Sequence, residues 1–326
     1  METVRVVGGV YGVRMSDVLR GGRRYALTGH TDRVSQVGAV VLDGRALAVT
    51  GSPDETVRVW DLDTGRQVGE PLTSDAGWSG AVGLAVVDDR LLAVTSCGES
   101  VQVWDVAAGQ LVGEPPTGPV GWVWAMGAVA VDGRALAVVD GDYELDVWDR
   151  AIGRRVGETL NADPNAVNGR AIAVVDGRTL AVIGGARHAW VWDPATDQQV
   201  GKPLMGHTDW VTAVAATVVE GRPLAVTGSV DRTVRIWDLT TWEQVGEPLT
   251  GHTDWVIAVA TTVLDDRPVA VTGSADKTVR IWDLTTGEKV GPELVFPEAV
   301  DTVAAAPGGW LVVGFGQEAA VLTPPR

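Results

Sequence analysis

The chain has 326 residues, 45% of them apolar, and a formal net charge of −16, so it can bury a large core while remaining strongly acidic. This charge argues against nucleic acid and anionic membrane surfaces as partners. The one cysteine, Cys97, excludes an internal disulfide, and the sequence shows neither a signal peptide nor an apolar run of membrane-spanning length, so a cytoplasmic protein is expected.

The amino-terminal residues 1–22 are predicted to be an extension that precedes a single domain at 23–326. Within the extension, "ETVRVV" at 2–7 nearly copies "ETVRVW" at 55–60, which indicates a stray strand. Two explanations are open. The strand replaces a weak one near the carboxy terminus, or the chain descends from a longer array of repeats.

A Trp-Asp pair then recurs at intervals of 44 or 45 residues, at Trp60-Asp61, Trp104-Asp105, Trp148-Asp149, Trp192-Asp193, Trp237-Asp238 and Trp282-Asp283. Residues 206–250 and 251–295 match at 32 of 45 positions. A fixed period of this length predicts a repeat architecture. Within one repeat, "VTAVAATVV", "PLAVTGS", "TVRIWDL" and "QVGEPLT" are typical of four short strands separated by turns.

These pairs and their spacing resemble the WD-repeat β-propellers over residues 23–323, and the wording of the repeats is similar to arrays in actinobacterial proteins, which suggests a bacterial source. The resemblance implies an all-β, seven-bladed propeller of four-stranded antiparallel blades. The seventh blade is degenerate, with Leu322 in place of Trp-Asp, and its outer strand is expected from residues 23–28. Strands from both termini would then close the ring.

In this family a His before the first strand, a Ser or Thr in the second, an Asp in the following turn and the Trp of the third form a hydrogen-bonded network. The resemblance implies this network in blades 1, 5 and 6, with the members His30, Thr50, Asp54, Trp60; His207, Thr227, Asp231, Trp237; and His252, Thr272, Asp276, Trp282. A catalytic interpretation of His and Asp is disfavoured, because an active site is rarely triplicated. No catalytic residue is therefore assigned.

Blades 2, 3 and 4 depart from this pattern, since each lacks the network His and Asp and has a turn one residue shorter. The sequence there supplies chemically varied side chains, of which Asp140, Asp142, Arg170 and His188 are candidate polar groups of a pocket. Arg170 stands where the other blades carry apolar residues, so it is expected either to pair with a carboxylate such as Asp146 or to bind an anion in the channel. Trp242 replaces a turn glycine on the opposite face; a neutral replacement is favoured, and the alternative is an exposed indole that makes a contact.

A second set of candidates lies twelve residues before the Arg that opens each second strand. These rim positions, predicted to surround the upper channel mouth, hold Arg33, Trp78, Trp122, Ala166, Trp210, Trp255 and, in blade 7, Ala299, with Trp124 close by. Indoles at a channel mouth can bind a peptide, an aromatic molecule or a cation. The alternative is that each Trp covers the neighbouring blade.

The sequence favours a non-enzymatic scaffold that binds a protein or peptide on the upper face, because no nucleophile, metal-ligand or phosphate-loop motif is visible. No cofactor or metal is expected, and a monomer is predicted. The alternative is a small-molecule-binding protein or enzyme with a pocket at the top of blades 2 to 4, walled by Trp78, Trp122 and Trp124.

Overall fold

The structure is a computed structural model. It describes residues 4–5, 24–73, 82–87, 90–97, 100–112, 123–131, 134–141, 144–149, 154–161, 169–175, 178–193, 196, 198–306 and 308–322. Within 123–161 the description is limited to backbone pairing. The described residues contain strands and turns but no helix.

The strands form seven sheets among the described residues. Sheet 1 contains Gln36–Leu42, Arg45–Gly51, Thr56–Asp61, Arg66–Gln67 and Leu72–Thr73, and sheet 2 contains Val82–Val87, Arg90–Cys97, Ser100–Asp105 and Gln110–Leu111. Sheet 3 contains Val123–Val131, Arg134–Gly141, Glu144–Asp149 and Arg154–Asn161. Sheet 4 contains Arg170–Val175, Arg178–Gly184, His188–Asp193, Gln198–Gln199 and Leu204–Met205. Sheet 5 contains Val211–Val219, Arg222–Ser229, Val234–Asp238 and Glu243–Gln244. Sheet 6 contains Val4–Arg5, Val256–Leu264, Arg267–Ser274, Thr278–Asp283 and Leu294–Val295. Sheet 7 contains Arg24–Leu27, Val300–Ala306, Trp310–Phe315 and Glu318–Leu322.

The seven sheets form a closed ring. The first strand of each sheet contacts the first strand of the next, and the first strand of sheet 7 contacts that of sheet 1. The first strands therefore lie innermost and the sheets are propeller blades, which confirms the predicted all-β fold of antiparallel blades. The ring has two faces: the upper face carries the loops that precede the first strands, such as 206–210, and the lower face carries the hairpins that follow them, such as 220–221.

Blade 7 draws its strands from both ends of the chain. Arg24–Leu27 pairs antiparallel with Glu318–Leu322, as the sequence predicts for the closing strand. Glu318–Leu322 thus occupies the third-strand position, so the explanation that the amino-terminal strand replaces it is wrong. Instead, Val4–Arg5 pairs in parallel with Leu294–Val295 at the outer edge of blade 6.

The outer strands of blades 1 and 4 are each divided into two short strands. In blade 1 the predicted single strand is divided into Arg66–Gln67 and Leu72–Thr73, which pair with opposite ends of Thr56–Asp61. Between them Gly69 adopts a positive φ of 71° and Pro71 has no amide hydrogen to donate. The ladder is therefore interrupted at this point.

The core lies between the blades. Trp237 of blade 5 packs in one cluster with Leu180, Val182 and Val191 of blade 4, and Trp282 of blade 6 packs likewise with residues of blade 5. Both indoles are almost fully buried. Trp237 and Trp282 therefore each seal their blade against the preceding one, since a four-stranded blade cannot bury its faces alone.

The Asp of the Trp-Asp pair ties the lower end of its blade together. Asp238 accepts hydrogen bonds from Arg222, which opens the second strand, and from the backbone amides of Thr240 and Thr241 in the next turn. The equivalent pairs are Arg45–Asp61, Arg90–Asp105 and Arg178–Asp193. In Asp61 the hydrogen bond from Arg45 is the largest influence and lowers the pKa of the carboxyl.

Trp242 is not the exposed contact that the sequence left open as an alternative. Its indole is half-buried and packs over Gly201 of the preceding blade, where an added Cβ would lie 2.1 Å from the ring. Gly201 adopts a φ of 71°, and Gly246, the equivalent residue one blade later, adopts 69° with open space at its Cβ position. Trp242 thus joins the core between blades 4 and 5.

We expect Gly246→Ala to lower the free energy of unfolding by about 1–2 kcal/mol, the cost of a left-handed Cβ. Gly201→Ala should cost a further 1–3 kcal/mol or so, because the new methyl group overlaps the Trp242 ring. Urea unfolding of both variants measures the difference. In a Trp242→Gly background the two costs should become equal, and a surviving difference would contradict the contact.

Candidate functional site

The upper-face loops of blades 1, 5 and 6 are held by the predicted network. In blade 5 the Trp237 indole N–H donates to Thr227 Oγ1 at 2.8 Å, and Thr227 Oγ1 lies 2.8 Å from His207 Nε2. His207 Nδ1 lies 2.8 Å from Asp231 Oδ2. Blades 1 and 6 repeat the arrangement at 2.7–2.9 Å.

These partners determine where the protons sit. Thr227 Oγ1 accepts from the indole, so its own hydroxyl hydrogen points to His207 Nε2, and Nδ1–H then donates to Asp231. One arrangement of protons satisfies every buried polar group with a neutral imidazole. Accordingly, burial lowers the pKa of the equivalent His30, although its hydrogen bond and charge contact with Asp54 act in the opposite direction.

A fifth member of the network was missed by the sequence reasoning. Thr233 donates from Oγ1 to Asp231 Oδ1 at 2.6 Å, and Thr56 and Thr278 make the same bond in blades 1 and 6. The signal was a Thr two residues after each network Asp. With this hydroxyl, two backbone amides and the imidazole, the carboxylate accepts four donors.

The network carboxylates are strongly stabilised in their ionised form. Burial alone would raise the pKa of Asp276, but the hydrogen bonds from His252, Thr278 and the Thr253 amide outweigh it and leave the pKa well below its ordinary value. The same balance lowers the pKa of Asp54 and Asp231. These aspartates are therefore structural anions and not proton-transfer groups poised near neutrality.

The network is incomplete in the two divergent blades whose side chains are described. In blade 2 the Trp104 indole donates to Thr95 Oγ1 at 3.1 Å, but Asp75 stands at the sequence position of the histidine. In blade 4 Ile183 replaces the threonine, and among the described residues the buried indole N–H of Trp192 has no acceptor. Among the blades whose side chains are described, a blade thus lacks the complete network where its sequence lacks one of the members.

The Trp255 loop is fixed at both of its backbone groups. The Trp255 amide donates to Asp254 Oδ1 at 2.9 Å, and its carbonyl accepts from Ala275 N at 2.9 Å. Thr253 N donates to the network Asp276, and Ser274 Oγ donates to the Asp254 carbonyl. Yet the Trp255 residue is 53% exposed. Hydrogen bonds therefore hold the backbone of this loop, while the Trp255 indole faces solvent.

The other rim positions differ in exposure. Arg33 is exposed, while Trp210 and Ala299 are half-buried, although the Trp210 loop makes the same backbone bonds as that of Trp255. Near Arg33, burial raises the pKa of Asp301; the Arg33 charge opposes this and Glu298 adds to it. The upper mouth thus presents mixed charge between blades 7 and 1, and aromatic surface at blades 5 and 6.

Several candidates fall outside what the structure describes. Trp78, Trp122, Asp142 and Ala166 are outside the described residues, and for Trp124, Asp140, Asp146 and Arg170 the description stops at backbone pairing. His188 is half-buried, with its ring 4.5 Å from that of Trp190 in an edge-to-face contact. The pocket at the top of blades 2 to 4 therefore stays a prediction.

Over the described part of the chain, no cluster of three His, Cys, Asp or Glu residues is arranged to hold a metal ion. Over the same part, no helix has the length and hydropathy needed to cross a membrane.

We expect Thr227→Val to destabilise the protein by about 2–6 kcal/mol, because it leaves both the Trp237 N–H and His207 Nε2 without a partner in a buried site. Thr227→Ser keeps the hydroxyl, loses one methyl group and should cost only about 1 kcal/mol. Chemical unfolding of the two variants distinguishes them. A larger loss for Ser than for Val would mean that packing, and not the hydrogen bonds, holds the site.

We also expect acid to remove the contribution that the Asp276 carboxylate makes to the free energy of unfolding. Because its folded-state pKa is lowered, the unfolded chain binds the proton first as pH falls. The stability due to the carboxylate is thus complete above pH about 5 and is lost as the pH drops below 3.8. Free energies of unfolding at pH 7, 5, 4 and 3 should show Asp276→Asn converging on wild type at low pH. Asp43→Asn, on an exposed hairpin, is the control and should run parallel to wild type.

Comparison with known proteins agrees with this geometry. The family described as "WD domain, G-beta repeat" matches residues 21–61, 198–238 and 242–283, and each match ends in the third strand of a blade that has the complete network. No curated protein sequence matches the chain. The crystal structure of the WD40 β-propeller domain of Doa1 is similar in fold, with a TM-score of 0.70 and 22% identity over 94% of this chain and 98% of that chain. The matched repeats and the fold together show that the chain contains WD repeats at these three places and folds as a β-propeller.

Proposed function

We propose that the protein is a non-enzymatic scaffold that binds a protein or peptide on its upper face, around Trp255. Propellers with WD repeats generally mediate protein interactions. The observation that carries the proposal for this chain is the Trp255 indole, 53% exposed on a loop whose backbone is bonded on both sides.

The loop geometry favours binding because the loop loses its conformational entropy during folding and not when a ligand binds. Trp255 N, Trp255 O and Thr253 N all have partners within the blade, so a ligand orders only the indole itself. Exposed tryptophans on rigid supports are the residues that most often dominate interface energies. Trp210 repeats the same loop one blade earlier and extends the apolar surface.

The charges around the indole indicate how a ligand would be oriented. Asp254 is exposed beside Trp255, and Arg33 is exposed at the equivalent rim position of blade 1. Rim charges of this kind affect the association rate and orientation more than the affinity. The buried network beneath them contributes rigidity and no reactive group, which favours binding over catalysis.

We expect Trp255→Ala to weaken peptide binding at least tenfold or so, the loss typical of an aromatic hot spot. Peptides would be selected from a displayed random library on the immobilised full chain and then measured by fluorescence anisotropy. Leu111→Ala removes another exposed apolar side chain, 47% exposed on the outer strand of blade 2, and should leave the affinity unchanged.

Melting temperatures of both variants should match wild type, since neither side chain belongs to a core cluster. Selected peptides that bind Trp255→Ala as tightly as wild type would contradict the proposal, as would a library from which no peptide is enriched.

A further inference from the structure

Two exposed valines lie side by side on the lower face. Val218 and Val263 occupy equivalent positions near the ends of the first strands of blades 5 and 6. Thr261 Oγ1 donates to the Ala216 carbonyl at 3.3 Å, which joins the two strands two residues before each valine. Val218 is 57% exposed and Val263 is 55% exposed.

This exposure distinguishes blades 5 and 6 from blades 1 and 2. Val41 of blade 1 and Val86 of blade 2 hold the same repeat position and are half-buried. The valine pair therefore forms a local apolar surface at the lower end of the inner strands, on the face opposite Trp255. Its backbone is rigid, because Val219 pairs with Arg222 and Leu264 pairs with Arg267 across two-residue hairpins.

The hairpins border this surface with negative charge. Glu220, Asp265 and Asp266 are exposed, and none of them has an ion-pair partner within the described part of the chain. Arg222 is matched by Asp238, so among the described residues of these two hairpins Arg267 is the one remaining guanidinium beside three carboxylates. An apolar pair with an acidic border is complementary to an aliphatic side chain flanked by cations.

We propose that Val218, Val263, Glu220, Asp265 and Asp266 form a second docking surface, which binds a partner's segment carrying an aliphatic side chain between lysines or arginines. A second copy of this chain fits poorly, because its net charge of −16 would bring like charge to the acidic border. The surface lies on the face opposite the proposed peptide site, so the two can be occupied at once.

The probe is an array of synthetic nonapeptides with one central leucine and lysines at varied distances from it. Matched peptides replace the leucine with serine or the lysines with glutamates. We expect the full chain to retain peptides that have both leucine and lysine, with a retention that falls between 0.05 and 0.5 M salt or so, as screening of the carboxylates requires.

The variants preserve the local backbone. Val218→Thr with Val263→Thr keeps β-branched side chains of similar size, and we expect binding about tenfold weaker. Asp265→Asn with Asp266→Asn keeps residues that tolerate the positive φ of 49° and 60° found there, and should weaken binding about tenfold at low salt. Asp43→Asn alters the equivalent hairpin of blade 1, where φ is 50°, and should have no effect.

Each outcome decides the matter. Equal retention of the serine or glutamate peptides, no retention at all, or equal losses in Asp43→Asn and the blade 6 variant would overturn the proposal. Binding lost in Trp255→Ala but kept in the valine variant would place the peptide on the upper face, which rejects the lower site and supports the proposed function. A dimer in light scattering that Val218→Thr/Val263→Thr dissociates would identify a second copy as the occupant and overturn the assignment.

Discussion

The structure depends on one constraint, the need of a buried tryptophan N–H for an acceptor. In blades 1, 5 and 6 the hydroxyl that meets this need must itself be satisfied, and the requirement passes through the imidazole to a carboxylate. That carboxylate then accepts backbone amides from both upper-face loops, such as Thr208 N and Thr233 N in blade 5. The interior of the blade and the conformation of its binding loops are therefore one cooperative unit.

Where the constraint is relaxed, the sequence is freer to change. Ile183 in blade 4 supplies no hydroxyl, and the buried Trp192 N–H is left unpaired within the described residues, at a cost in stability. The buried Asp193 still pairs with Arg178 at the lower end of the same blade. The upper and lower ends of a blade are thus secured by separate sets of polar contacts, and one can be lost while the other persists.

The sequence predicted the fold well because its strongest signal, the spacing of the Trp-Asp pairs, follows directly from the length of one four-stranded unit. Four members of the network in each of blades 1, 5 and 6 were implied by the family resemblance, whereas the threonine that follows each Asp was not. Exposure was not predictable. Trp210 and Trp255 have nearly identical flanking residues, yet one is half-buried and the other exposed. The burial of Trp242 could not be predicted from its flanking residues either, since its partner Gly201 lies forty-one residues away in another repeat.

The closing strand has a consequence for how the protein is made. Arg24–Leu27 pairs with Glu318–Leu322, so a strand synthesised before blade 1 has its hydrogen-bonding partner in the last strand of blade 7. Contacts between such distant segments form slowly, because the entropy of closing the intervening loop must be overcome first. Blades 1 to 5 can each assemble from contiguous sequence as they leave the ribosome, whereas blade 6 also includes Val4–Arg5. The emerging ring therefore stays open, with one unpaired strand edge, until Glu318–Leu322 has been added.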